Sequence, residues 1–248
     1  MACLFKLKTR MEINGVWTET VMIPSFMVNK NLEATFVTIG NLFQEVAGNH
    51  AIYRKLGYFD LKEQNMMWVL NRLKIQMVRF PKWRETMTIK TWVSEMLPFS
   101  NRHYLLQNTE GGDIGFGSAL WIPIDSTTFR PKRVTIDDNF LLIKELPCGL
   151  PSKLSEVLDA ELSSKRQVEY ADIDFLSHVN NVQYISWILD NFYAQWGACH
   201  YKTLEINYLN QCSERDSVSI FYKKAENELF YSLKRNSDNK EICRAHFY

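Results

Sequence analysis

The sequence predicts an α+β protein assembled from two like halves, each a long helix followed by several antiparallel strands. Three observations carry this expectation. A strand-like alternation recurs at a fixed distance. In Arg72-Leu-Lys-Ile-Gln-Met-Val-Arg-Phe-Pro-Lys-Trp-Arg84-Glu-Thr-Met-Thr-Ile and in Thr203-Leu-Glu-Ile-Asn-Tyr-Leu-Asn-Gln-Cys-Ser-Glu-Arg215-Asp-Ser-Val-Ser-Ile, Leu73 matches Leu204, Ile75 matches Ile206, Arg84 matches Arg215 and Ile89 matches Ile220, always 131 residues apart. An apolar stripe at helical spacing precedes the strands in each half. Each half then closes on a hairpin, with turn chemistry at residues 110–113 and again at 236–239. Two copies at so long a period mean a duplicated domain, not a solenoid.

The elements follow in chain order. Residues 1–10 alternate apolar and basic side chains and lack the unbroken apolar core of a signal peptide, so a reducing cytoplasm is expected, in a bacterium over a plastid. Phe36, Ile39, Phe43, Val46 and Ala47 mark the first helix. Strands follow on both sides of Pro81, and residues 103–124 form the first hairpin. Residues 130–165 are irregular, with Pro131, Pro147, Pro151 and the run 137–139, and are too long for a loop inside one compact domain. The expected division is therefore 1–135, a connector at 136–164, and 165–248. In the second half Val182, Ile185, Ile188, Leu189, Phe192 and Trp196 mark the helix, and residues 228–248 the last hairpin.

Composition removes several function classes. Basic and acidic residues balance at 29 against 28, and no segment mixes clustered basic residues with aromatics, so nucleic acid is not an expected partner. No apolar stretch approaches a membrane span. Cys3, Cys148, Cys199, Cys212 and Cys243 are odd in number and scattered, and neither they nor the five histidines show metal-ligand spacing. No metal or other cofactor is expected.

The chemistry concentrates in residues 170–181, Tyr-Ala-Asp-Ile-Asp-Phe-Leu-Ser-His-Val-Asn-Asn. These place Asp174, His178, Asn180 and Asn181 in the turn that enters the second helix. There, free backbone N–H groups and the helix dipole favour negative charge, including an oxyanion formed by attack on an ester or thioester. The competing reading is plain capping: Asp, Ser and Asn before an apolar run are ordinary N-cap residues. Spacing alone leaves both readings standing.

The chain resembles the acyl-acyl carrier protein thioesterases, double hotdog enzymes of plants and bacteria, from about residue 20 to the C-terminus. The resemblance rests on Trp68-Val-Leu-Asn-Arg-Leu-Lys-Ile, Arg79-Phe-Pro-Lys-Trp, Thr91-Trp-Val-Ser, Ser118-Ala-Leu-Trp and Thr128-Phe-Arg-Pro in the first half. In the second it rests on Ala171-Asp-Ile-Asp, His178-Val-Asn-Asn-Val-Gln-Tyr-Ile-Ser-Trp-Ile-Leu-Asp and Cys212-Ser-Glu-Arg-Asp-Ser. It implies a tandem hotdog fold and hydrolysis of the thioester that joins a fatty acyl chain to the phosphopantetheine of acyl carrier protein, and it admits a homodimer. It places the polar groups in the second half and the acyl-chain pocket in the first. The family motif, Asp-x-Asn-x-His with a later Glu before Cys or Ser, puts Asp on Asp174 and His on His178. Its Asn falls on Leu176 and its Glu on Gln211.

Asp174 can accept a proton from water, attack the thioester, or orient His178. His178 can donate to the oxyanion or the leaving thiolate, or act as a base when neutral. Gln211, expected on a strand beside Cys212, cannot act as a base but can hold a water. Leu176 offers no hydrogen bond, so Ser177, Asn180 or Asn181 would have to stand in toward substrate. Cys212 as a nucleophile with His178 as its base ranks below the aspartate mechanism. Trp68, Trp92, Trp121 and Met96 read as core. Two rivals stay open: a hotdog thioesterase acting on coenzyme A esters, and a homologue that binds acyl chains or acyl carrier protein without turnover.

Overall fold

The structure, a computed structural model, describes residues 10–96, 99–136, 140–142, 144, 146–197 and 199–248. The amphipathic stretch 1–9 and the run 137–139 lie outside these. The chain divides into two compact units, the first running to residue 150 apart from 71–73, the second comprising those three residues and 151–248.

In the first unit, β1 (Arg10–Ile13) and β2 (Val16–Met22) precede a 3-10 turn at Ser25–Met27 and the long helix α1 (Phe36–Tyr53). A short α2 (Tyr58–Lys62) leads to β3 (Met66–Met77), β4 (Thr86–Glu95), β5 (Ser100–Asn108) and β6 (Asp113–Asp125). The second unit has β7 (Glu161–Gln167), a 3-10 turn at Tyr170–Asp172, the helix α3 (Asn181–Trp196), and then β8 (Thr203–Tyr208), β9 (Ser217–Lys224), β10 (Leu229–Arg235) and β11 (Glu241–Phe247). From β2 onward the first sheet runs β2-β4-β5-β6-β3, and the second runs β7-β9-β10-β11-β8. The two orders are the same order. Each unit is thus a hotdog, a long helix laid against an antiparallel sheet.

The duplication holds at single residues. Met87 pairs with Met22's neighbour Val21, and Val218, 131 residues on, pairs with Arg166. Arg84 and Arg215, also 131 apart, both adopt left-handed backbone, at φ 65° and 70°. The sequence extended the connector to residue 164, whereas β7 is already a strand from Glu161. Its residues are exposed or half-buried throughout, as an edge strand allows, so it carries no apolar alternation to read.

Helix α1 buries Phe36, Ile39, Leu42, Phe43, Val46 and Ala47, and a reciprocal Thr35–Thr38 capping box starts it. Helix α3 buries Val182, Ile185, Ile188, Leu189 and Phe192, takes its cap from Asn180, and stops at Gly197, whose φ of 73° is the left-handed geometry that glycine adopts freely. The Phe43 ring stacks on Tyr104 at 4.1 Å. It reaches that place only because Gly117 has no side chain: a Cβ there would come within 2.2 Å of the Phe43 ring. Trp92 and Met96 are core as expected, at 1% and 5% exposure. Beyond α1, the segment with α2 packs Leu56 and Leu61 into a cluster with Met66, Met96 and Phe140. At the corresponding end of α3 lies a cavity of about 590 Å³ lined by Phe192, Trp196, Tyr201 and Tyr248 among others. Among the described residues, no helix is long and apolar enough to cross a membrane.

The first unit also buries charge. Arg102 donates to Thr91 Oγ1 at 3.2 Å and lies 3.1 Å from His50 Nδ1, and His50 Nε2 lies 3.3 Å from Glu12 Oε2. Desolvation and the Arg102 charge push His50 down to about 2 and His103 down to about 4. Both imidazoles are therefore neutral in the fold.

Gly117→Ala is expected to cost about 1–3 kcal/mol by overpacking, whereas Gly48→Ala, in open space on α1, should gain about 0.5–1 kcal/mol; denaturant unfolding measures both. The histidines set a pH dependence. Their folded values lie below the ordinary 6.5, so the unfolded chain binds protons that the fold refuses. Stability should be full above pH 6.5 and fall as pH drops toward about 4. A His50→Gln, His103→Gln double variant should flatten that slope in thermal melts.

Candidate functional site

The turn into α3 is a closed loop. Ile173 and Val179 bridge antiparallel, and the Asp174 N–H donates to the His178 carbonyl at 2.8 Å. Asp174 Oδ1 accepts the Leu176 N–H at 2.8 Å, and the Asp174 carbonyl accepts the Ser177 N–H at 3.0 Å. Ser177 completes the reversal with a φ of 63°. This geometry sets Asp174 and His178 opposite each other across the loop neck, each half-buried, while Phe175 between them is 75% exposed. Leu176 is half-buried.

Two struts hold the loop. The Asn180 N–H donates to the Asp172 carbonyl at 3.0 Å, and the Val179 N–H donates to the Cys212 carbonyl at 3.0 Å. Cys212 is itself fixed to α3, since its N–H donates to Tyr184 Oη at 3.2 Å. Gln211 is therefore one residue from a direct support of the loop. It is not on a strand, as the sequence suggested: it lies in the connection between β8 and β9, because the alternation that continues to Tyr208 as strand gives way to the turn around Arg215. Its carbonyl accepts Arg235 Nη1 at 2.7 Å. Burial, with Asp216 nearby, pushes the Cys212 thiol up to about 11, which disfavours a thiolate nucleophile at neutral pH. Asn180 uses its side-chain oxygen to cap Val182, and the Asn181 carbonyl accepts the Tyr208 hydroxyl.

The first unit contains the same loop. Val28 and Ala34 bridge, Asn29 N–H donates to the Glu33 carbonyl at 2.8 Å, Asn29 Oδ1 accepts the Asn31 N–H at 2.9 Å, and Leu32 has a φ of 61°. Ala34 N–H donates to the Pro81 carbonyl as Val179 does to Cys212. Position for position, Asn29 corresponds to Asp174, Asn31 to Leu176, Glu33 to His178 and Phe80 to Gln211. A neutral amide thus makes the turn as well as a carboxylate does. Asp174 does cap its loop, but the cap has no need of its charge.

Sequence reasoning missed the groups behind the loop. Asp172, 4% exposed, accepts the Trp187 indole N–H at 3.3 Å and the Glu169 N–H at 2.9 Å, with Arg166 at 3.7 Å. The Asp-x-Asp spacing of Asp172 and Asp174 was the available signal. Among the described residues, no three His, Cys, Asp or Glu side chains stand close enough to hold a metal ion.

The acyl-ACP thioesterase N-terminal domain family matches residues 14–140, and the acyl-ACP thioesterase C-terminal domain family matches 155–247. Oleoyl-acyl carrier protein thioesterase 2, chloroplastic, of Arabidopsis thaliana is 27% identical over 96% of this chain and 72% of its own length. Oleoyl-acyl carrier protein thioesterase 1 of the same plant is 26% identical over 82% of this chain, which spans only 62% of that relative. Among solved structures, an acyl-ACP thioesterase from Bacteroides thetaiotaomicron superposes with a TM-score of 0.87 at 28% identity, covering 94% of this chain and 97% of the other. The 12:0-ACP thioesterase from Umbellularia californica, at 18% identity, shares the fold with a TM-score of 0.80 over 96% of this chain and 98% of the other. With both domain families matched in order along its length, this chain belongs to the acyl-ACP thioesterase family.

Proposed function

We propose that this protein hydrolyses the thioester of a fatty acyl chain carried on acyl carrier protein, releasing the free fatty acid. One observation carries the reading. Two copies of one loop serve the same structural purpose, and only the copy heading α3 replaces its amide and carboxylate with the acid–base pair Asp174 and His178. The names of the relatives support the donor.

In the proposed step, Asp174 orients and deprotonates a water, whose oxygen attacks the thioester carbon. The oxyanion is stabilised by His178 and by N–H groups at the head of α3. Collapse breaks the C–S bond, and the pantetheine thiolate takes its proton from the protonated His178 imidazole, to which the proton that Asp174 took from water then returns. Water has then been divided between the acid and the thiol, and both side chains are restored. A thiolate leaves readily, so modest activation suffices. Gln211 holds the water through its amide, and Asn181 with the Leu176 backbone lines the approach of the acyl group. Asn180 serves mainly as the helix cap. The chain acts in the cytoplasm on a substrate that brings its own phosphopantetheine.

Leu176 and Gln211 favour a second reading, a homologue that binds acyl chains without turnover, because each lacks the polar group of the family motif. Coenzyme A esters are the alternative donor. Release of thiol from matched acyl-carrier-protein and coenzyme A esters separates all three, and the carrier-protein ester is expected to turn over faster. Asp174→Asn should leave the melting temperature unchanged, as Asn29 implies, and lower kcat by about 10²–10⁴. A parent protein without activity that gains it from Leu176→Asn with Gln211→Glu would establish the binding reading instead.

A further inference from the structure

The two units differ beneath their equivalent loops. In the second, Arg166 on β7, Asp172 in the 3-10 turn and Trp187 on α3 form a polar group. Asp172 Oδ1 accepts the Trp187 indole N–H at 3.3 Å and lies 3.7 Å from Arg166 Nη2. The Arg166 guanidinium sits 5.2 Å from the centre of the Trp187 ring and contacts Asp190 at 3.4 Å. Through its own carbonyl Asp172 also holds the Asn180 N–H. One residue therefore ties the start of the loop to the helix cap and to a side chain two turns inside the helix.

In the first unit the three equivalent positions are Val21, Met27 and Leu42, with Val21 and Leu42 buried. There the Met27 carbonyl accepts the Thr38 hydroxyl at 2.6 Å. The hotdog fold thus closes on hydrocarbon at this place. A buried carboxylate costs desolvation that its partners must offset, and the fold has no need of it. What the second loop has and the first lacks is the aspartate–histidine pair.

We infer that Arg166, Asp172 and Trp187 are positioning residues that fix the Asp174–His178 loop in its reactive geometry. The inference rests on the thioesterase reading of that loop. Rigidity matters because a displacement of about 1 Å at reacting groups can cost about a hundredfold in rate. Asp172 touches no substrate in this scheme and acts through the two ends of the loop.

The decisive variant grafts the first unit's residues into the second: Arg166→Val, Asp172→Met and Trp187→Leu together. It should fold, bind substrate with KM within about twofold, and lose at least about tenfold in kcat. The Asp174 and Asn180 amides should exchange with solvent at least about tenfold faster, while those of the β9–β10 ladder keep their parent rates. Asp172→Asn, a smaller change, should lower kcat about threefold or more with KM unaltered, and it decides the matter if the triple variant does not fold. Parent kcat and parent exchange in either folded variant would overturn the brace. If the parent releases no thiol, or Asp174→Asn keeps full rate, the thioesterase reading fails; amide exchange then still decides whether the brace holds the loop.

Discussion

Everything in this protein follows from a helix that must bury one face against a curved antiparallel sheet. Satisfying that face fixes the helix direction, and the helix direction fixes where its first-turn backbone N–H groups emerge. The loop that leads into those groups is the natural seat for developing negative charge. In the second unit the seat is occupied by Asp174 and His178, supported from below by Cys212 and Asp172. The loop is placed by packing, and packing is set by the spacing of Val182, Ile185, Ile188, Leu189 and Phe192.

Because the fold is present twice, the protein contains its own control. Hydrogen bonds that recur in both loops belong to the architecture. The Asx turn, the left-handed residue and the strut to the β3–β4 or β8–β9 connection all recur. Groups that appear in one copy alone are candidates for function. By that criterion Asp174 and His178 stand out in the second unit. In the first, the criterion selects the Glu12–His50–Arg102 cluster, since the residue equivalent to Arg102 by strand register is the buried Leu229.

Much of this was legible in the sequence, for identifiable reasons. Both helices announced themselves by apolar spacing, and both hairpins by Gly-Gly and Asn-Ser-Asp-Asn turns. The repeat over β3–β4 and β8–β9 was visible because core strands keep their residue types. The repeat over the loops was not, because Asn29 and Asp174, or Glu33 and His178, share a backbone without sharing a side chain. Strand β7 escaped because its edge position leaves it polar. Gln211 was misplaced because the strand pattern continues past Tyr208 on paper while the backbone turns away. The Arg166–Asp172–Trp187 group depends on three elements meeting in space, which no local spacing reports.

The two helices also end differently, and this has a thermal consequence. Beyond α1, Leu61 and Phe140 seal the core, whereas the cavity at the end of α3 leaves Trp196 half-buried beside it. On warming, α3 will begin to fray from Trp196 inward, so its last turn melts ahead of the end that Asn180 caps.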